Sequence, residues 1–142
     1  MNYKMKFLMK IVLFSGLLWL AACGGPEGSG PLIAAPSAGD YANVYTGTVT
    51  GTTDASDSGT VSLTIDSDGN INGTATIKNV YYPLVGTVDA AGNVAVNLFA
   101  SNQVAEIWTG SVTKSTGKMS GTWRYAWSTS TGNDGTFSAI KS

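Results

Sequence analysis

Met119-Ser120-Gly121-Thr122-Trp123-Arg124-Tyr125-Ala126-Trp127 alternates without interruption. Met119, Gly121, Trp123, Tyr125 and Trp127 fall on one side, and Ser120, Thr122, Arg124 and Ala126 on the other. Side chains of an extended chain point alternately to opposite faces, whereas a helix would scatter these rings around its axis. The stretch reads as a strand with an aromatic face and a mostly polar face. Arg124 falls on the face opposite the tryptophans and reads as a solvated charge. If it pointed inward it would need a partner such as Glu106.

The same period of two recurs along the chain. Val61, Leu63 and Ile65 alternate with Ser62 and Thr64, and Val94, Val96 and Leu98 alternate with Ala95 and Asn97. Ile71, Gly73, Ala75 and Ile77 alternate with Asn72, Thr74 and Thr76. From Asp40 onward no long stretch has a helical period. Turn residues separate the alternating runs. Asp68-Gly69 and Gly92-Asn93 tolerate positive φ in tight hairpins, and Ser115-Thr116-Gly117 and Thr131-Gly132-Asn133-Asp134-Gly135 read the same way. Asp54 to Gly59 reads as a longer polar loop. Tyr82-Pro83 reads as a break, because proline cannot donate to a ladder. Asn102-Gln103 is the faintest turn signal.

Eight strands follow, near 41–53, 59–66, 70–78, 83–89, 92–99, 105–113, 118–128 and 135–141. Short connections make sequence neighbours pair antiparallel. An even meander brings its first and last strands together antiparallel, so closure removes both sheet edges. The expected fold is all-β: a single small antiparallel up-and-down β-barrel of about eight strands, with an open sandwich as the alternative. Such a barrel is filled by side chains or holds one small ligand. Gly-Thr or Gly-Ser recurs from strand to strand (Gly47-Thr48, Gly73-Thr74, Gly86-Thr87, Gly110-Ser111, Gly121-Thr122), as tight coiling requires. This texture is similar in style to small bacterial lipoprotein barrels and to the avidin and calycin barrels. The likeness implies architecture only and carries over no binding residue.

Ahead of the barrel the chain changes character. Lys4, Lys6 and Lys10 precede an apolar run from Ile11 to Ala22. A run of about a dozen residues is too short to span a bilayer, which takes roughly 20, but suits a signal-peptide core. The run ends in Leu20-Ala21-Ala22-Cys23, and Cys23 is the only cysteine. This resembles the lipobox of bacterial lipoprotein signal peptides. The resemblance implies that Leu20, Ala21 and Ala22 are read by the signal peptidase, that residues 1–22 are cleaved, and that the Cys23 sulfur carries a diacylglyceryl group. The implied partner is the membrane, reached through that covalent lipid. No other cofactor is expected. Gly24, in place of the aspartate that retains lipoproteins at the inner membrane, implies the outer membrane in a Gram-negative cell envelope. Residues 23–39 then read as a lipidated cysteine and a flexible Gly/Pro/Ser linker, and residues 40–142 as the barrel domain.

Composition narrows the chemistry. The processed chain would keep five basic residues (Lys78, Lys114, Lys118, Arg124, Lys141) against nine acidic ones, a net charge of −4. Nucleic-acid binding needs a basic stripe, which is missing. The chain has no histidine, so Ser-His catalysis and the commonest zinc ligand are excluded. Asp54, Asp57, Asp66, Asp68, Asp89 and Asp134 fall in or beside turns, where aspartate bonds nearby backbone. Glu106 is the only acid near the start of a strand interior. Asp66-Ser67-Asp68-Gly69-Asn70 lacks the ligand order of a calcium loop and reads as a hairpin turn. No catalytic or metal-binding residue is therefore assigned.

The candidate ligand or partner surface is the aromatic set Tyr45, Trp108, Trp123, Tyr125 and Trp127. Three placements stay open: a packed core, an inner site for a small apolar ligand, or an outer surface for a protein or glycan. The expected function is a lipid-anchored cell-envelope lipoprotein displaying a non-catalytic β-barrel for binding or interaction. The alternatives are a carrier of a small apolar ligand within the barrel, and a protease-inhibitor-like barrel that binds a partner.

Overall fold

A computed structural model describes residues 34–129 and 132–142. Leu20, Ala21, Ala22 and Cys23 lie outside the described residues, as does the linker up to residue 33. Eight strands follow in order: β1 (Asn43–Gly51), β2 (Gly59–Ile65), β3 (Asn70–Ile77), β4 (Val80–Val88), β5 (Asn93–Ala100), β6 (Gln103–Thr113), β7 (Lys118–Tyr125) and β8 (Gly135–Lys141). Each pairs antiparallel with its neighbour, and β1 pairs with β8 from Tyr45↔Lys141 to Gly51↔Gly135. The sheet is a closed up-and-down barrel, not an open sandwich.

Alternation decides what lies inside. Val61, Leu63 and Ile65 on β2, Val94, Val96 and Leu98 on β5, and Trp108 and Val112 on β6 are all buried. Their neighbours Ser62, Thr64, Ala95, Asn97, Thr109 and Ser111 face outward and are exposed. An apolar interior under a Thr/Ser/Asn exterior is the reverse of a membrane-spanning barrel, whose lipid face is apolar. Coiling a sheet this tightly brings backbones close at defined points. A Cβ added at inward-facing Gly47 would run into the Ser138 carbonyl oxygen and Ala139 Cα of β8. A Cβ at Gly110 would meet β7 at Ser120 and Gly121 in the same way.

The two ends of the barrel differ. At one end the β2–β3 and β4–β5 hairpins use the same turn. Asp66 Oδ1 accepts from the Asp68 and Asn70 backbone N–H groups while Oδ2 accepts from Asn70 Nδ2, at 2.8–2.9 Å. Asp89 repeats this with Ala91 and Asn93 at 2.7–2.9 Å. These bonds occupy both carboxylates and hold them below the ordinary carboxylate range, the Asn side chain being the largest cause in each. Gly69 and Gly92 adopt φ +83° and +87°, and their carbonyls accept from Val88 and Val112 on the next hairpin.

A single 3-10 turn (Ala38–Tyr41), capped by Ser37, covers this end. It touches all three hairpin turns there. Asp40 pairs with Lys114 at 3.0 Å, Tyr41 Oη donates to the Ala90 carbonyl at 3.5 Å, and Gly39 sits against Ser67. Buried Tyr45 fixes the turn by donating from Oη to the Tyr41 carbonyl at 2.9 Å. Ser37, Ala38 and Gly39, read as linker in the sequence, are thus part of this cover.

At the opposite end the β3–β4 and β5–β6 turns are two-residue hairpins with positive φ at Lys78 and Asn79 and at Ser101 and Asn102, the pattern of type I′ turns. Two longer segments complete this rim, 52–58 and a second whose described residues are 126–129 and 132–134. One expectation fails here. Tyr82-Pro83 is no break, because β4 runs through it and pairs Ala75↔Tyr82 and Thr74↔Pro83. The β4–β5 ladder starts only at Leu84↔Leu98. Pro83 therefore lies where β4 has no β5 partner, and its missing N–H breaks no ladder bond there.

Candidate functional site

The five aromatic residues singled out in the sequence separate into two groups. Tyr45, Trp108 and Trp123 are core residues, each no more than 2% exposed. Trp108 and Trp123 are register partners on β6 and β7, and Trp108 lies 5.0 Å from Phe137 on β8. Large side chains thus occupy the barrel axis. Trp123 Nε1 is buried with no hydrogen-bond partner among the described residues, wedged against Gly135.

Tyr125 and Trp127 belong to the rim. β7 ends at Tyr125, short of the expected end at residue 128. Ala126 N–H donates to the Ala105 carbonyl and Ser128 N–H to the Tyr125 carbonyl, so the chain turns at this point. Trp127 therefore leaves the face it shares with Trp123 in the sequence pattern. It is 69% exposed and stacks on Tyr125 with ring centroids 5.0 Å apart. Tyr125 in turn meets Trp123 edge-on at 5.3 Å. The three rings form a ladder from the core to the solvent. Arg124 faces outward beside Ile107, as expected.

The acid at the centre of the rim is Glu106. It shares the inward face of β6 with Trp108, two residues on. A β-bulge next to it, at Leu98/Phe99, leaves Ala105 without a β5 partner, and Ala105 and Glu106 are both buried. Bulges re-aim side chains at barrel rims. Glu106 Oε2 accepts from Trp108 Nε1 at 2.7 Å. Burial pushes this carboxyl above its ordinary value, the indole bond opposes that, and the charges of Asp57 and Asp134 add to the rise.

The two rim segments close around it. Asp57 accepts from Tyr125 Oη and pairs with Lys78 Nζ at 2.6 Å. Burial and then the Asp57 bond push the Tyr125 phenol far above its ordinary value. Asp134 Oδ2 accepts from Tyr125 N–H at 2.8 Å, and its carbonyl accepts from Thr52 and Thr53 N–H groups, tying the two segments together. Asp57 and Asp134 thus bond across the rim, unlike the turn-bound aspartates at the other end. A cleft of about 170 Å³ remains, lined by Tyr82, Leu98, Tyr125 and Trp127 and by the charged groups Asp57, Lys78 and Glu106.

Comparison with known protein families gave no match, and comparison with curated proteins gave none. Among the described residues no group of three or more acidic or sulfur ligands is placed to hold a metal ion.

Reading the sequence missed Glu106, Asp57 and Asp134 as site residues. The signal for Glu106 was present in Glu106-Ile107-Trp108, which sets the acid and the tryptophan on one face. Asp57 and Asp134 lie in irregular segments, where no period reveals which carboxylate turns inward.

Proposed function

We propose that this is a lipid-anchored cell-envelope protein whose barrel is a rigid, non-catalytic binding module. The observation that carries the reading is the contrast between a barrel axis occupied by Trp108, Trp123 and Tyr45 and a rim where Trp127 stands 69% exposed on Tyr125. Packing of that kind favours a rigid scaffold over a carrier of an apolar ligand in its interior. An exposed, stacked tryptophan beside a half-open cleft is the feature that suits recognition.

The lipobox-like Leu20-Ala21-Ala22-Cys23 supplies the anchoring half of the proposal. The chain enters the barrel at the covered end, through Ser37 and the 3-10 turn. The aromatic rim is at the other end. A domain tethered through Cys23 would thus carry its rim on the end away from its attachment, facing an envelope protein or glycan.

Two substitutions test the halves separately. Cys23→Ser should move the protein from the membrane to the soluble fraction. Unchanged membrane partition would refute the anchor. Cross-linking in intact cells should join the parent to a partner that Trp127→Ala no longer captures. If both capture the same set, the rim is not the binding surface.

A further inference from the structure

We propose that the rim cleft is a receptor site for a single alkylammonium group, the kind that ends a lysine side chain. This deepens the rim reading and rests on it.

The first observation is a buried acid with no counter-ion among the described residues. Glu106 is 6% exposed. Its Oε2 is taken by Trp108 Nε1, and among the described residues no basic side chain pairs with this carboxylate. A buried carboxylate without a counter-charge is costly, and a bound cation would relieve that cost. The second observation is the wall. Tyr82, Tyr125 and Trp127 line the same cleft, and aromatic faces attract a cation, most strongly where water is partly excluded.

The third is charge. Among the described residues Asp54, Asp57, Glu106 and Asp134 gather at this rim; Arg124 is on the outer face beside Ile107, and Lys78 is the cation that lines the cleft. Lys78 is held by Asp57 at 2.6 Å and Asp54 at 3.9 Å, so it offsets those two carboxylates and not Glu106. Asp134 bonds backbone and Thr53. Among the described residues Glu106 and Asp134 are left without a cationic partner, and of the two only Glu106 lines the cleft.

Geometry selects among cations. A guanidinium is a fork that matches both oxygens of a carboxylate. One oxygen of Glu106 is held by the Trp108 indole, which obstructs a two-point match and suits the single-point contact of an ammonium. The cleft, at about 170 Å³, suits the end of one side chain. Binding requires ionised Glu106, and burial together with Asp57 and Asp134 favours its protonated form. Uptake of the cation should therefore release a proton and strengthen as pH rises. Asp57, Lys78, Tyr82 and Tyr125 line the same cleft; the Tyr125 phenol stays protonated throughout, held by burial and Asp57.

The test is titration of the full-length protein in detergent with n-butylammonium, following the Trp108 indole N–H resonance and Trp127 emission. Saturable shifts are expected for n-butylammonium, with n-butanol giving none. Glu106→Gln, which keeps an oxygen for the Trp108 indole, should abolish the response. Trp127→Ala should weaken it about tenfold, which converts to ~1.4 kcal/mol. Equal shifts from n-butanol, or an unchanged titration in Glu106→Gln, would overturn the proposal. Tighter binding of Nα-acetyl-lysine amide than of n-butylammonium would assign the cation to a partner's side chain, and the reverse order to a free amine. If Trp127→Ala loses its cross-linked partner while n-butylammonium fails to bind, the rim reading stands and the ammonium site falls.

Discussion

Trp108→Phe should destabilise the barrel by an amount that depends on pH, because the indole N–H serves a carboxylate. Two terms add. The smaller ring leaves a void of roughly 40 Å³, which at about 24 cal/mol per Å³ costs ~1 kcal/mol. The lost hydrogen bond costs ~1.5–3 kcal/mol when Glu106 is ionised and ~0.5–1.5 kcal/mol when it is neutral. The total is ~2.5–4 kcal/mol in alkaline buffer and ~1.5–2.5 kcal/mol in acid. The sign follows from linkage. Burial raises the Glu106 carboxyl above its ordinary value, and the Trp108 bond opposes the rise. The folded chain therefore keeps this proton to higher pH than the unfolded chain, and its contribution to stability falls as pH climbs from the ordinary glutamate value through the raised one. Removing the indole widens that window and deepens the fall. Urea unfolding of the full-length protein in detergent, followed by near-UV circular dichroism at about pH 4.5 and about pH 8, measures both terms. An equal loss at the two pH values would refute the reasoning, since a pure cavity does not titrate.

Other residues give sharper local tests. Gly47→Ala should cost ~1–3 kcal/mol in the same urea assay, because its Cβ would meet the β8 backbone that closes the barrel, whereas outward Thr48→Ala should stay within about 0.5 kcal/mol. Tyr45→Phe should cost ~0.5–1.5 kcal/mol and speed amide exchange in the 3-10 turn, leaving exchange in β5 and β6 unchanged. Asp66→Ala with Asp89→Ala should lower stability at neutral pH and flatten the acid limb of the stability curve. Both carboxyls are held below their ordinary range when folded, so their stabilisation is present above the unfolded pKa and lost as pH falls through the folded one.

What the sequence made legible was whatever had a period. Val61-Leu63-Ile65, Val94-Val96-Leu98 and the Met119–Trp123 run alternate cleanly, and each is buried on the face that alternation assigns. An even number of strands with short connections then implies closure, and β1 meets β8. Where periodicity stops, so did the reading. Pro83 was misplaced because its effect depends on where the β4–β5 ladder begins, which is a tertiary fact. Trp127 continues the period of Trp123 and Tyr125 in the sequence, yet the backbone bonds of Ala126 and Ser128 turn it onto the rim. The aromatic set was thus right as a list of large rings and divided in its roles. Glu106 faces inward by simple parity with Trp108. Its significance arises from Asp57 and Asp134, brought to it by loops with no pattern of their own.

The central claim is a lipid-anchored barrel with an occupied interior and a binding rim. Native mass spectrometry of the protein purified from its membrane tests it most directly. The account predicts a chain beginning at Cys23, carrying a covalent diacylglyceryl increment, with no apolar small molecule retained inside the barrel. A chain that keeps residues 1–22 without lipid, or one that releases a bound apolar ligand on unfolding, would contradict it.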